Sequence, residues 1–483
     1  MHLVDYLIFG IYMLVVLGIG VYFFKKNKNR EDYYVGGRSI SALHVGLSIA
    51  ATDVGGGFSI GLGGLGYMIG LSGSWLLFTG IVGAWLSAVL IIPKIKKIDA
   101  KHKLLTFPDF LRLRYDEKVA STAAVISGIG YLGFTGAQVL AGAKLASATI
   151  FNRPPLGLNP FQFSILIIAV VIILYTVLGG LKAVIFTDTV QWIVLFSGLI
   201  FFAIPFALVK IGGFSALVDA LPHDFFSLTN LSFVQFFNWM VTIVPIWFVA
   251  MTIYQRIYAS RDVKTAKIAW YIGGLFEYPL MAFTGVFLGL CSRVLFSGID
   301  GEMGIPLLIR DVLPVGAAGI VVAAYFSAIM STADSCLMAS SGNVTNDLIR
   351  RYVLKKTGEK HMVIISQVAT LVIGLLALLI AISFTSVLDA ILLAYSFMVS
   401  GLLVPTLGAY FLKRNSSSAA FWSMLAGGST TLAMKIFHLV LPLGLDQTLA
   451  GILVSALVFF AIHFAVADSS ASGDQQPHGM GDL

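Results

Sequence analysis

The sequence predicts an all-α polytopic membrane protein: about thirteen transmembrane helices, with a five-plus-five inverted-repeat core and broken helices. Three observations carry this expectation. Of 483 residues, 58% are hydrophobic and only 11% charged, whereas soluble domains carry roughly 25% charged residues; the mean hydropathy is +0.91. The apolar residues gather into runs of about 20, the length that crosses a bilayer as a helix. Two of these runs are interrupted, one by three consecutive glycines and one by a proline.

The runs fall near 5–24, 41–69, 73–97, 118–148, 161–181, 184–210, 231–255, 264–292, 313–340, 363–383, 386–410, 417–437 and 446–467. The first is followed by Lys25, Lys26, Lys28 and Arg30. A cleavable signal peptide has its positive charge ahead of the apolar run, so this one reads as a span that stays. Basic residues fill alternate loops: Lys25 to Arg38, Lys94 to Lys118, Lys182, Arg256 to Lys267, Arg350 to Lys360, and Lys413 with Arg414. The positive-inside rule places these loops in the cytoplasm. The N-terminus is then outside and the C-terminus cytoplasmic, which an odd number of spans requires. The net charge of +7 is thus a topology signal of a multi-pass protein of the cell (plasma) membrane, with lipid as its surroundings and no nucleic-acid partner. Cys291 and Cys336 sit in apolar surroundings and offer neither a disulfide framework nor a metal-ligand spacing. Residues 104–110, with Arg112 and Arg114, read as an amphipathic helix at the headgroup level. Gly179-Gly180 ends a span, as glycine often does after a helix.

The expected organisation has four parts. Residues 1–30 are a peripheral first helix and a basic loop, and 31–410 are the core. Residues 411–467 are two peripheral helices, and 468–483 are a cytoplasmic polar tail. Within the core, Gly55-Gly56-Gly57 beside Thr52 and Asp53 break the second run, each glycine weakening helix by about 1 kcal/mol relative to alanine. Pro245 interrupts the seventh run, five spans later. Interrupted helices at corresponding positions of two halves point to a transport site, so two repeats of opposite orientation are expected at 41–210 and 231–410. The alternative is that the glycines only let helices pack closely. A second polar interruption, Ser331, Thr332, Asp334 and Ser335, lies in the 313–340 run. Polar groups at membrane depth usually face a cavity or a transport path, and oxygen-rich groups beside a broken helix suit a small hard cation.

Four short stretches then fall in order: residues 32–38 (DYYVGGR), 179–184 (GGLKAV) with Thr187-Asp188, Tyr254-Gln255-Arg256, and 330–335 (MSTADS). With these the chain resembles the sodium/solute symporter family over nearly its whole length. The resemblance implies sodium as the coupling ion, moving inward with a solute. It also implies a main sodium site of the Ala51, Val54 and Ala328 carbonyls with the Ser331 and Thr332 hydroxyls. A second sodium is implied at Asp188, Ser331, Asp334 and Ser335, unless Asp188 and Asp334 make a structural hydrogen-bond cluster instead. Residues 51–58 and Tyr254-Gln255-Arg256 resemble the choline-transporter branch except at Asp53, where that branch has tryptophan and the sodium/proline symporters have aspartate.

The expected solute contacts cluster around the breaks. Asp53 attracts the ion, faces the solute, or caps the half-helix. Gly56 lies in the break. Phe58, Trp239, Trp247 and Phe248 flank the two interruptions and either bind an ammonium group by cation–π contact or pack. Gln138, Tyr395 and Ser396 are further polar contacts. Glu277 lies mid-span, and either pairs with a cationic solute or stays protonated. Lys435 and His438 snorkel to the interface. The expected function is secondary active transport by alternating access: inward sodium flow drives uptake of a small organic solute, an amino acid such as proline or a quaternary ammonium or other amine. The alternative is a proton-coupled or sodium-independent facilitator of the same fold. No His/Asp/Glu metal cluster at membrane depth, Walker-type loop or paired nucleophile and base points to an enzyme.

Overall fold

The computed structural model describes residues 1–24, 30–154, 157–354 and 358–471. Among these the chain is helical, with one isolated bridge between Ile40 and Ser260. The basic stretch 25–29 and the tail beyond Ala471 lie outside the described residues. Among the described residues, eight helical stretches are long and apolar enough to cross a membrane, nine if one bent pair counts as a single span. The thirteen apolar runs exceed this because Ala42–Leu90 holds two runs in one stretch, because Leu3–Ile19 and Pro160–Leu174 are shorter apolar helices, and because Ser417–Ile436, though a helix, is not among the spans.

The helices that build the site are α1 (Leu3–Phe24), α2 (Ala42–Ile69), α3 (Trp75–Leu90), α4 (Glu117–Ala148) and α5 (Pro160–Gly198), followed by α6 (Phe233–Val249) and α7 (Met251–Ala259). After them come α8 (Val263–Leu295), α9 (Ala317–Gly342), α10 (Glu359–Ala381), α11 (Val387–Phe411), α12 (Ser417–Ile436) and α13 (Gln447–Ala471). At the centre is α9, every residue of which from Val321 to Gly342 is buried; it packs against α1, α2, α4 and α5. Leu375 and Leu379 on α10, with Leu457 and Phe464 on α13, are exposed, as a surface facing lipid requires.

The helix α5 is not one rod. Ile168 flanks Gly142 together with Ile329, while Asp188 accepts a hydrogen bond from Ser331 at 2.6 Å. A straight helix would hold Ile168 and Asp188 about 30 Å apart at 1.5 Å per residue, so the chain folds back between them. Its second limb returns along α9, where Gly198 meets Val321 and Ala324. One side of α1 is exposed at Leu7, Ile11 and Leu14. The other side is tied to α9: Asp5 accepts from the backbone N–H groups of Gly316 (2.7 Å) and Gly319 (3.0 Å), capping that helix.

Two sequence expectations are corrected. The break of the 231–255 run is not at Pro245, which stays inside α6. It is at Ala250, extended at φ −71° and ψ 121°, where the axis bends by 43°. Proline removes one N–H but leaves the remaining helical bonds intact. The N–H freed past Ala250 belongs to Thr252 and donates to Tyr131 Oη at 3.1 Å. The segment expected at the headgroups forms a helix, Phe107–Arg114, but its apolar face turns into the protein. Phe110 stacks on Tyr410 at 4.4 Å and Phe107 lies 4.7 Å from Tyr254. Its arginines are also held there: Arg112 pairs with Asp109, Glu117 and Asp347, and Arg114 donates to the carbonyls of Ala409 and Leu412.

Candidate ion and solute site

The glycine triplet does break α2. Gly55 has φ 38° and ψ 176°, a conformation essentially restricted to glycine. A Cβ there would collide with Thr332 Oγ1, so the absence of a side chain is also what lets α9 approach. Thr332 uses that space to reach two carbonyl oxygens, Ala51 O and Ala328 O, each at 3.2 Å. Three of the expected sodium ligands, one from α2 and two from α9, thereby converge on one point. Val54 lines the same small space together with Gln191, Trp192 and Met281. The chemistry suits a hard monovalent cation, since carbonyl and hydroxyl oxygens supply partial charge without a net charge.

Ser331 points elsewhere. Adjacent residues of a helix are about 100° apart, and the Ser331 hydroxyl donates to Asp188 Oδ1 on α5 (2.6 Å). Asp188 Oδ2 also accepts from Ser48 and, at 3.3 Å, from Arg256 Nη2. Ser335 lies in this second cluster, 2.8 Å from Arg256 Nη2. Asp334 is fully buried beside it, and neither of its carboxylate oxygens has a hydrogen-bond donor.

A narrow, largely enclosed cleft of about 10 Å³ lies on the other face of the break, between α2 and the α6–α7 bend. Asp53, Trp247 and Tyr395 line it, with Tyr131, Phe134 and Arg256. Tyr395 Oη donates to Asp53 Oδ1 at 3.4 Å. The interruptions of the two helices therefore face one space. Glu277 sits in a π-helical turn, Phe276–Ala282, fully buried. Its carboxyl lies beside Asp53 and against Gly80, without a hydrogen-bond donor.

The other expected contacts lie outside the cleft lining. Gln138 Oε1 accepts from Gly57 N at 3.0 Å, satisfying backbone freed by the break. Gly56 packs against Ile329. Phe58 stands behind the cleft, 6.2 Å from the Tyr395 ring and 6.4 Å from Phe134. Trp239 and Phe248 are buried. The Ser396 hydroxyl bonds within its own helix and to Thr448, and Lys435 and His438 are exposed. Sequence reasoning missed Arg256 as a site residue. It stood among the basic residues of a cytoplasmic loop, yet it is the most heavily hydrogen-bonded group of the site, 0% exposed. An arginine at the very end of an apolar run was the available signal.

Two broken helices facing one cleft, with a cation-type oxygen cluster at one break, define an ion-coupled secondary transporter. The chain belongs to the sodium:solute symporter family, whose model matches residues 33–427; it is a sodium-coupled solute transporter and not an enzyme. It is 27% identical over 466 residues to the osmoregulated proline transporter OpuE of Bacillus subtilis (strain 168), covering 93% of this chain and 92% of that protein. It is also 27% identical over 529 residues to the sodium/glucose cotransporter of Vibrio parahaemolyticus, covering 97% and 92%. Its fold matches the substrate-bound outward-open structure of a Na+-coupled sialic acid symporter, with TM-score 0.79, 20% identity, and coverage of 96% of this chain and 98% of that one.

Proposed function

We propose that sodium binds at the α2 break between the carbonyls of Ala51, Val54 and Ala328 and the hydroxyl of Thr332, without Ser331, whose hydroxyl is held by Asp188, and that an amine-bearing solute binds in the adjoining cleft. The observation that carries this reading is Thr332 bridging Ala51 and Ala328 across two helices. A cation there ties α2 to α9 and fixes the wall from which Asp53 faces the cleft. Asp53 supplies the negative charge for an ammonium group, and Trp247 and Tyr395 supply ring faces that attract it. Glu277 adds a second carboxyl next to Asp53. A proline-like amino acid fits these features, and the proline transport of the Bacillus subtilis relative supports the choice.

Residues 41–210 and 231–410 form the two inverted repeats of this reading. The chain sits in the plasma membrane, N-terminus outside, with the basic loops cytoplasmic. Sodium and solute favour the same closed arrangement, so each raises the affinity for the other by the same factor. The test is thermal stability of the purified protein in sodium against potassium, alone and with proline, choline and a neutral sugar. A ligand of the native state raises stability by mass action. The expected result is stabilisation by sodium alone, increased by proline or choline. Equal effects of sodium and potassium would remove the ion site; an increase only with the sugar would remove the role of Asp53.

A further inference from the structure

The structure assigns Arg256 as a tethered cation in the place where a second sodium would bind, so that one mobile sodium serves each transport cycle. The inference goes beyond the main sodium site and rests on that site binding one ion. Arg256 Nη2 is surrounded by three oxygens: Thr52 Oγ1 from α2, Ser335 Oγ from α9 at 2.8 Å, and Asp188 Oδ2 from α5 at 3.3 Å. Of these, α5 and α9 are the helices that the second ion would join, and Asp188 and Ser335 are two of its four expected ligands. The remaining guanidinium donors are also engaged: Nε donates to Ser48 Oγ (3.0 Å) and Nη1 to the Thr252 carbonyl (3.2 Å). The group is pinned by four helices and is 0% exposed, so it is not a side chain swinging through the site.

The remaining expected ligands do not complete a sodium shell. The Ser331 hydroxyl is committed to Asp188 Oδ1, and the Asp334 carboxylate accepts no hydrogen bond and stands outside the ring around Nη2. Charge agrees at the contact itself: the Arg256 guanidinium already neutralises the Asp188 carboxylate that it touches, so a second sodium on the same ligands would add positive charge to a buried pair that is already balanced, which is strongly unfavourable.

The experiment counts bound sodium. Purified full-length protein is titrated with radiolabelled sodium at equilibrium, and the dependence of thermal stability on sodium concentration gives an independent count. Wild-type protein is expected to bind one sodium with a Hill coefficient of about 1. Arg256→Gln leaves Asp188 without its cation and is expected to bind about twice as much sodium, because a mobile ion then compensates the buried charge. Arg256→Lys keeps a cation and is expected to bind one. Two sodium ions on the wild-type protein would overturn the assignment, as would an unchanged count in a folded Arg256→Gln. Should Arg256→Gln not fold, the wild-type and Arg256→Lys counts decide. Sodium binding absent from the wild type would overturn the ion site itself, a result distinct from a count of two.

Discussion

Replacing Gly55 with alanine puts a methyl group where α2 and α9 leave no room. The backbone at φ 38° and ψ 176° costs a non-glycine residue about 1–3 kcal/mol. The new Cβ would lie 2.9 Å from Thr332 Cβ and closer still to Oγ1. Relief requires the threonine to turn away and give up its hydrogen bonds to Ala51 O and Ala328 O, each worth about 1 kcal/mol. The backbone part of the cost lowers stability and expression. The loss of Thr332 falls on the ion, and about 2 kcal/mol there raises the sodium concentration for half-saturation about 30-fold. The assay is sodium-dependent uptake in proteoliposomes carrying equal amounts of protein. Thr332→Ala alone should raise the sodium requirement about as much, and the double variant should fall short of additivity by about 1–2 kcal/mol, since both changes remove the same contact. Half-saturation by sodium within twofold of wild type in Gly55→Ala would refute the reasoning.

Three further perturbations have defined outcomes. Glu302 accepts from Lys144 Nζ (2.6 Å) and from the N–H groups of Val387 (2.9 Å) and Leu388 (3.1 Å) at the start of α11; Glu302→Ala should lower stability by about 3 kcal/mol, since it leaves a buried lysine with Asp300 as its remaining carboxylate and uncaps a helix end, and an unfolding midpoint unchanged in denaturant would contradict this. Glu277→Gln should cut uptake of an amine solute about tenfold, the scale of one charge-assisted bond, and spare a neutral one; equal loss of both would make Glu277 structural. Asp262 caps α8, and its exposed carboxyl is held below the ordinary 3.8, first by the backbone hydrogen bond from Thr265. A depressed carboxyl contributes stability above its unfolded pKa that is lost as pH falls through the folded value, so the protection of the Thr265 amide, taken relative to its intrinsic exchange rate, should fall below about pH 4 and stay flat in Asp262→Ala.

How much of this was legible beforehand differs from residue to residue. The α2 break was readable because its cause is local: three glycines beside a polar pair have weak helix propensity whatever surrounds them. The α6–α7 break was misplaced because its cause is not local. Ala250 carries no signal of its own, and the backbone freed there is satisfied by Tyr131, 121 residues away. Ser331 and Thr332 were read as one ligand pair, yet the helical rotation between neighbours sends them to different partners. Arg256 was hidden by its neighbourhood in sequence, since a basic residue at a span end ordinarily reports topology. Its acceptors come from α2, α5, α7 and α9, and only the folded chain brings them together. The helix Phe107–Arg114 was recognised as amphipathic, but amphipathicity does not say whether lipid or protein covers the apolar face.

On the assignment of Arg256 to the second cluster, a single coupling sodium sets how steep a solute gradient the membrane potential can sustain. A cation that belongs to the chain holds Asp188 and Ser335 in place at any external salt concentration, but it never crosses the membrane and draws nothing from the membrane potential. Each sodium that does cross releases about 2.3 kcal/mol per 100 mV. With one such ion, the potential alone sustains a concentration ratio of about fifty for a neutral solute, where two ions would sustain the square of that.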